Sequence, residues 1–496
     1  MFDARTTPVI ISVGESIERE NLVTTIDLAT NAAQMALDGA PGIDEFIDRL
    51  TVIPAIFSPA PNNPATEIAR NLGLDHIKLE VGQQGGNGPQ WLVNRAAEDI
   101  ASGELSTTLI VGAEATRSMK TSMKTSTKKG KSLVVEKIKT DAKADEVIGV
   151  PFGRGLSEAE LAIDLTAPME LYAVFESALA LSAGRTLEQQ REFLGEIYVN
   201  FSKVAAKNPY AWFQTEYTPK EISEISDNNR LISAPYTKRF NSFPNVDQGA
   251  ALLVTSLEVA ENLGLDEQVM YIWAGATNTD VHPIERPNLD SSPAMKAASE
   301  AMFENAGISV DDIDAFELYS CFPSAVGAAA NALGIEMDDN RGLTLVGGLP
   351  FFGGPGNNYI THCIAAAFRR LQQNSGLIYI GANGGFLSKH SLGIYGSDVN
   401  TRAFIKTDTS EQQKTIDENI IAYTLVAEGE AIIEAGTVMY DRNGQASSAP
   451  VFARLEDGRR IAADADEQTL ASMAGIELVQ RKIYVSGSPL SYRLIS

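Results

Sequence analysis

The chain holds two cysteines and four histidines in 496 residues, so the candidates for thiol or imidazole chemistry are few. Cys321 stands in Tyr319-Ser320-Cys321-Phe322. The run Ala315 to Tyr319 reads as a strand that ends here, and Pro323 suits the first turn of a helix. Cys321 is therefore expected at a helix N-terminus, where partial positive charge favours thiolate and lowers the pKa. The competing reading is a buried and inert thiol, as most free cysteines are. Cys363 lies inside an apolar helix and reads as core. His390 follows the glycine-rich segment Gly381 to Phe386 and can act as an acid, a base or a hydrogen-bond donor, or simply as a structural histidine. His362 reads as structural. No spacing among His, Cys, Asp and Glu suggests a metal site. Two glycine clusters, Gly85-Gly86-Asn87-Gly88 and Gly353-Gly354-Pro355-Gly356, each open an apolar helix. Peptide N–H groups at such N-termini can hold an oxyanion.

The elements that must position these groups occur twice. From Gly85 to Gly112 is 27 positions, and from Gly353 to Gly381 is 28. Each interval carries a glycine cluster, a helix apolar on nearly every face and a strand. Upstream, Gly42 to Phe46 pairs with Asp312 to Phe316, and the strand Pro8 to Val13 with Met270 to Ala274. Two similar halves of strands alternating with helices imply parallel sheets covered by helices, with the two all-apolar helices buried between them. Ligands in such sheets sit at glycine-rich strand-to-helix junctions, so the paired junctions form one central site.

These residues resemble the thiolase superfamily, and more narrowly the sterol-carrier-protein thiolases and the thiolase-like proteins of type 1. The resemblance rests on the stretches 317–326 (ELYSCFPSAV), 353–368 (GGPGNNYITHCIAAAF), 381–396 (GANGGFLSKHSLGIYG) and 204–213 (VAAKNPYAWF). It implies an α/β thiolase fold of two βαβαβαββ halves layered α/β/α/β/α, with coenzyme A or an acyl-CoA as ligand or substrate and no metal. It also implies covalent catalysis by a cysteine of a Cys-x-Ser motif, yet that position falls at Gly86, or at Gly85 with one residue inserted. No Cys, Ser or Thr lies between Leu79 and Arg95. Gly353-Gly354-Pro355 stands where the family has Gly-His-Pro, and Ala382-Asn383-Gly384 where many members have Cys-x-Gly. Tyr319-Ser320-Cys321-Phe322 matches His-Asp-Cys-Phe, whose cysteine transfers protons, and Tyr319 offers a hydroxyl in place of the imidazole. The resemblance thus assigns Cys321 and Tyr319 to catalysis, joined by His390 on its position after the glycine-rich segment, and Gly85, Gly86, Asn87, Gly353, Gly354, Asn383 and Gly384 to the oxyanion and acyl-CoA site. It leaves open non-covalent retro-aldol or Claisen chemistry, a catalytically inactive acyl-CoA-binding protein, and a subunit completed by a partner.

A hydrophobic share of 44% and a charged share of 21% are those of a globular protein. The net charge of −24 argues against nucleic acid as a partner. No apolar run is long enough for a membrane span, and the N-terminus has no secretory pattern, which makes a cytoplasmic protein the expectation. Residues 1–115 with 236–268 read as the first half, 116–235 as an inserted helical loop domain, 269–400 as the second half and 405–496 as an additional antiparallel β domain. The insertion begins with Arg117 to Lys143, which holds eight lysines. They read either as a clamp for coenzyme A phosphates or as a solvated excursion. Tyr172, Phe175, Trp212 and Phe213 are candidates to line an acyl tunnel, or else core. In the β domain, strands expected at 420–426, 436–440 and 451–455 are punctuated by Asp441-Arg442-Asn443-Gly444 and Glu456-Asp457-Gly458. Its nine basic residues against fourteen acidic ones favour packing on the core or a protein partner over nucleic acid. The resemblance implies a homodimer paired through the sheet edge near Lys78 to Val81, or an edge covered by the additional C-terminal domain.

Overall fold

The structure is a computed structural model describing residues 3–74, 76–129, 143–149 and 155–495. Five strands come first: β1 (Pro8–Ile17), β2 (Ile47–Ile53), β3 (Lys78–Val81), β4 (Thr107–Ala115) and β5 (Glu146–Val147). A short hairpin, β6 (Leu231–Ser233) and β7 (Tyr236–Thr237), precedes β8 (Asp247–Ser256), β9 (Met270–Thr279), β10 (Ala315–Leu318), β11 (Leu377–Gly384) and β12 (Lys389–Gly396). The main sheet has the order β10-β11-β12-β9-β1-β8-β4-β2-β3-β5. The series β2-β4-β8-β1 is thus repeated by β10-β11-β12-β9, and the halves join where Val9 and Ile10 face Tyr271 and Met270.

The helices Gly88–Ser102 and Tyr359–Leu371 touch each other and strands of both halves. They form the central layer of α/β/α/β/α, because most of their surface is apolar and a position between two sheets buries it, leaving Arg95, Glu98 and Asp99 of the first and Arg369 and Arg370 of the second at the margin. The helix Thr25–Asp38 covers the outer face of one half and Pro293–Ala306 that of the other.

The sheets are mixed, where the alternation of strands and helices implied parallel ones. β8 runs antiparallel to β1 and β4, and β12 runs antiparallel to β9 and β11. The link from Gly384 to Lys389 is too short for a crossover, so β12 has to return beside β11. Nor is β3 an edge: β5 pairs with it in parallel through Glu80 and Val81. The exposed apolar edge residue is Val147, not the segment at Lys78.

Within the insertion, the helices Pro168–Ser182 and Leu187–Lys207 carry Thr186 as a capping-box residue before the second. Of the eight lysines, Lys131, Lys137 and Lys139 lie outside the described residues, as do the side chains of Lys128 and Lys129.

The C-terminal region contains a closed barrel of β13 (Gly429–Gly436), β16 (Val451–Leu455), β17 (Arg460–Ala465), β19 (Ser491–Leu494) and β18 (Lys482–Ser486). Residues 420–426 are no strand: Tyr423 makes a single bridge to Arg460, and the helix Ser410–Glu418 precedes them. The stretch 436–440 splits between the end of β13 and β14 (Met439–Tyr440), which turns through Asp441 to Gly444 into β15 (Ala446–Ser448). β14 leaves the barrel and pairs with β6 of the insertion.

Candidate active site

The two buried helices begin side by side. Gly85 donates its N–H to Asn357 Oδ1 at 3.1 Å, linking the glycine clusters directly. Each helix start also offers an asparagine to a glycine of the other half. A Cβ on Gly384 would lie 2.5 Å from Asn87 Oδ1, and one on Gly112 would lie 2.7 Å from Asn358 Oδ1. Only glycine leaves room for that approach.

Gly86 is the centre of the site. A Cβ there would fall 2.2 Å from the Tyr319 hydroxyl and 2.5 Å from the Asn383 carbonyl oxygen. The phenol therefore occupies the volume that a nucleophilic side chain would need. Tyr319 stands at the end of β10, its N–H bonded to the Gly381 carbonyl at 3.1 Å and its ring edge-on to Tyr359 at 5.5 Å. Burial holds its phenol protonated, well above the usual tyrosine range.

Cys321 lies two residues before the helix Pro323–Leu333, the position expected for it. Its pKa moves the opposite way from expectation. Cys321 keeps some exposed surface, yet its thiol is packed densely enough that burial pushes it up to about 12. Hydrogen bonds from Tyr172 and from the N–H groups of Phe322 and Cys321 pull downward and lose. The desolvation cost outweighs the helix end. At pH 8 alkylation of Cys321 by iodoacetamide is consequently expected to run on the order of a thousandfold slower than that of free cysteine. Mass-spectrometric labelling at rates near the free thiol would contradict the assigned burial.

Tyr172 connects these groups. Its hydroxyl receives the Asn383 amide Nδ2–H at 2.8 Å and the Leu387 N–H at 3.0 Å, and its ring stacks on Phe322 at 4.7 Å. Behind it, Tyr236 donates to Glu176 at 2.6 Å and accepts the Ser324 N–H at 3.1 Å. Burial raises the Glu176 carboxyl to about 7. Glu317, two residues before Tyr319, is also raised by burial to about 7 and accepts from Tyr359 at 2.8 Å.

His390 pairs with Asn383 across β11 and β12, but its ring turns away from the cleft. Nε2 lies 3.0 Å from Asp280 and 3.1 Å from Ser292 Oγ, and Nδ1 is buried without a partner. The Asp280 carboxyl, although burial would raise it, is held below its usual range by His390 and Arg286. His362 is structural, bonded to Glu15 at 2.5 Å, and Cys363 is fully buried in its helix.

The glycine cluster at Gly353 does not supply oxyanion donors as a whole. The Gly354 N–H is taken by the Phe243 carbonyl at 2.8 Å, and Gly353 faces Gln248. Without the imidazole of a Gly-His-Pro motif, the loop 241–244 closes over this spot: Ser242 Oγ would sit 2.3 Å from a Cβ on Gly354. The sites at Gly85, Gly86, Asn87, Tyr319, Cys321, Asn383 and Gly384 are thus brought together, and Gly353, Gly354 and the His390 ring stand behind or beside them.

Two features escape a reading of the sequence. Lys389 is buried and donates from Nζ to the Gln84 carbonyl at 2.7 Å, beside Gly85, and burial lowers its pKa. Its position opposite Gly384 in the hairpin was the available signal. The second is a groove of about 350 Å³ lined by Arg230, Lys238, Arg239, Phe213, Tyr217 and Ser242. None of its three cations is in an ion pair among the described residues. Arg239 lies over the Tyr217 ring at 4.8 Å. The groove reaches the cluster at Ser242, whose N–H bonds the Cys321 carbonyl at 3.1 Å. Of the four aromatic candidates for a tunnel, Phe213 lines this groove, Tyr172 reaches the cluster, Phe175 is core, and Trp212 lies outside the groove under Arg19 at 5.9 Å. Among the described residues no group of His, Cys, Asp and Glu is arranged to hold a metal, and no helix is long and apolar enough to cross a membrane.

Residues 412–487 match the model of the thiolase-like protein type 1 additional C-terminal domain. The whole chain is similar to a monomeric SCP2-thiolase-like protein type 1 from Mycobacterium smegmatis, 31% identical with a TM-score of 0.84 and 100% of both chains covered. Sterol carrier protein 2 of Homo sapiens is 28% identical over 154 residues, which are 29% of this chain but only 26% of that protein. An Ltp2-ChsH2(DUF35) aldolase shares the fold at 21% identity and a TM-score of 0.61, over 81% of this chain and 100% of that one.

Proposed function

The chain belongs to the thiolase superfamily, with the thiolase-like proteins of type 1, and on that premise we propose that it binds an acyl-CoA and performs carbon–carbon bond chemistry without an acyl-enzyme. Retro-aldol or Claisen-type cleavage through Tyr319 and Cys321 is the reaction class. The observation that carries this reading is the Tyr319 hydroxyl in the space of the absent Gly86 side chain. A covalent route has no nucleophile at position 86 to start from, while at the start of the helix Gly88–Ser102 the N–H groups of Gly86 and Asn87 are the ones left for a thioester oxygen, since Gly85 donates to Asn357, Gly88 to the Gly85 carbonyl and Pro89 has no N–H.

Burial keeps the phenol of Tyr319 and the thiol of Cys321 protonated, so both serve as proton donors at neutral pH. In a retro-aldol cleavage a base removes the proton of the β-hydroxyl and the Cα–Cβ bond breaks. Its electron pair passes to the thioester oxygen as an enolate, and Cα then takes a proton from Tyr319 or Cys321. The products are a carbonyl compound and a shortened acyl-CoA, with no co-reactant. His390, the imidazole expected for that base, is buried with Nε2 fixed by Asp280 and its ring turned from the cleft, so the proton of the β-hydroxyl has to pass to solvent or to a group brought by a partner. The scaffold is shared with the aldolase assembly, which makes aldol chemistry compatible with it.

The acyl-CoA is expected in the groove that ends at Ser242, its pyrophosphate near Arg230, Lys238 and Arg239. These cations are unusual company in a chain of net charge −24. The double charge reversal Lys238→Glu with Arg239→Glu is expected to weaken coenzyme A binding about tenfold by calorimetry at low salt, with the gap narrowing as salt rises. Unchanged affinity would remove the groove from the reading.

The deciding experiment incubates the protein with a series of β-hydroxyacyl-CoA thioesters and follows release of the carbonyl product. A second reading, an acyl-CoA-binding protein without turnover or a subunit completed by a partner, is favoured by one observation: neither Tyr319 nor Cys321 is ionised, and the His390 ring is turned from the cleft. It predicts binding with no product for any thioester in the series, or product only when a partner is added.

A further inference from the structure

The groove is too small for a whole coenzyme A, and what lies beyond it comes from a different part of the chain. Past Arg230 opens a cleft of about 990 Å³, one wall from the insertion and the other from the additional C-terminal domain. Arg230 lines both spaces. The groove, at about 350 Å³, suits a pantetheine arm, whereas the cleft has the size of pockets that enclose whole nucleotides.

The two walls are fixed to each other. β14 extends the sheet of β6 and β7, with Met439 opposite Ser233. Ala234 donates its N–H to the Val438 carbonyl at 3.0 Å, and Thr437 Oγ1 donates to the Ala234 carbonyl at 2.8 Å. Arg230 Nη1 donates to the Leu231 and Tyr440 carbonyls at 3.3 and 3.4 Å, so the cation shared by groove and cleft is itself held by the C-terminal hairpin. At the far side Glu477 accepts the Leu187 N–H at 2.8 Å and closes the start of the helix Leu187–Lys207.

The charges in the cleft are not equivalent. Glu477 is engaged by that helix start, and Glu188 faces Arg191 at 3.7 Å. Arg442, exposed at the tip of the β14–β15 turn, is in no ion pair among the described residues and projects from the C-terminal wall. Tyr440 beside it offers a ring to a planar base. An anion with an aromatic ring attached, arriving along the groove, meets these two groups last.

We propose that the additional C-terminal domain completes the ligand site: its hairpin forms the outer wall for the nucleotide end of coenzyme A, with Arg442 reading the ribose 3′-phosphate. This rests on the reading of the groove as an acyl-CoA site. It gives the domain a role in ligand selection, and it explains why β14 leaves the barrel to join a hairpin of the insertion.

The test is calorimetry of wild type and Arg442→Glu with three ligands: coenzyme A, 3′-dephospho-coenzyme A and phosphopantetheine. Wild type is expected to prefer coenzyme A to its dephospho form about tenfold. In Arg442→Glu that preference is expected to vanish while phosphopantetheine binds as before, and Arg442→Lys should restore part of it. Arg442 is exposed at a turn tip, so the variants keep the fold. Equal coenzyme A affinity in wild type and Arg442→Glu would overturn the proposal and leave the groove intact. A wild type that binds none of the three would overturn the groove itself.

Discussion

Tyr319→Phe is expected to lower turnover of a β-hydroxyacyl-CoA by about two orders of magnitude or more, the usual yield of a positioned acid–base group. Binding of the substrate should be nearly unchanged. The substitution removes one oxygen from a ring that is already buried and held edge-on by Tyr359, so packing is preserved. It leaves the Tyr319 N–H bonded to Gly381 and the start of the helix Gly88–Ser102 in place. A loss in kcat with constant KM is therefore the signature of a proton transfer made in the transition state. Cys321→Ser gives the internal comparison. If Cys321 is the donor to Cα and Tyr319 only fills space, the serine variant will lose more than the phenylalanine variant does. Undiminished kcat in Tyr319→Phe would end the assignment of Tyr319.

Much of this scaffold could be read before any coordinates. The duplicated spacing from Gly85 to Gly112 and from Gly353 to Gly381 was legible because two copies of one strand-helix-strand unit carry the same glycine constraints in the same order. The buried character of both central helices was legible because their charged residues are confined to one strip, Arg95, Glu98 and Asp99 in the first and Arg369 and Arg370 at the end of the second, and the remaining faces are mostly apolar. Strand direction was not, since β12 has the composition of its parallel-capable neighbours and only the five-residue distance between Gly384 and Lys389 betrays its return. The site divided in the same way. Spacing placed Gly86 where a nucleophile belongs, but that the Tyr319 hydroxyl fills the gap depends on the meeting of two chain segments 233 positions apart. Likewise the helix end at Cys321 was visible in Pro323, whereas the burial that overrides it depends on packing from segments far away in the chain. The run of lysines from Lys120 to Lys143 was legible as either a phosphate clamp or a solvated excursion, and much of it lies outside the described residues. The groove collects Arg230, Lys238 and Arg239 from the two ends of the hairpin β6–β7, too short a cluster to stand out by charge density along the chain.

Gly86→Cys, the change that restores a sulfur at the vacant position, is expected to give a destabilised protein and no thiolase activity. Its Cβ would have to enter within 2.2 Å of the Tyr319 hydroxyl and 2.5 Å of the Asn383 carbonyl, both closer than carbon tolerates. Overfilling of this kind costs about 1–3 kcal/mol where neighbours can give way, and here one neighbour is backbone in β11. The two contacts can be separated by a double-mutant cycle with Gly86→Ala and Tyr319→Ala, read by chemical denaturation. Removing the phenol should cut the cost of the added methyl by about 1 kcal/mol or more. It should not abolish it, because the Asn383 carbonyl stays where it is. An identical cost for Gly86→Ala in both backgrounds would mean that the phenol does not occupy the nucleophile's place, and the non-covalent mechanism would lose its structural basis. If the coupling is found, absence of the thiol and presence of the phenol are two sides of a single steric constraint: the space beside this helix start admits an acid on β10 or a nucleophile at position 86, and not both.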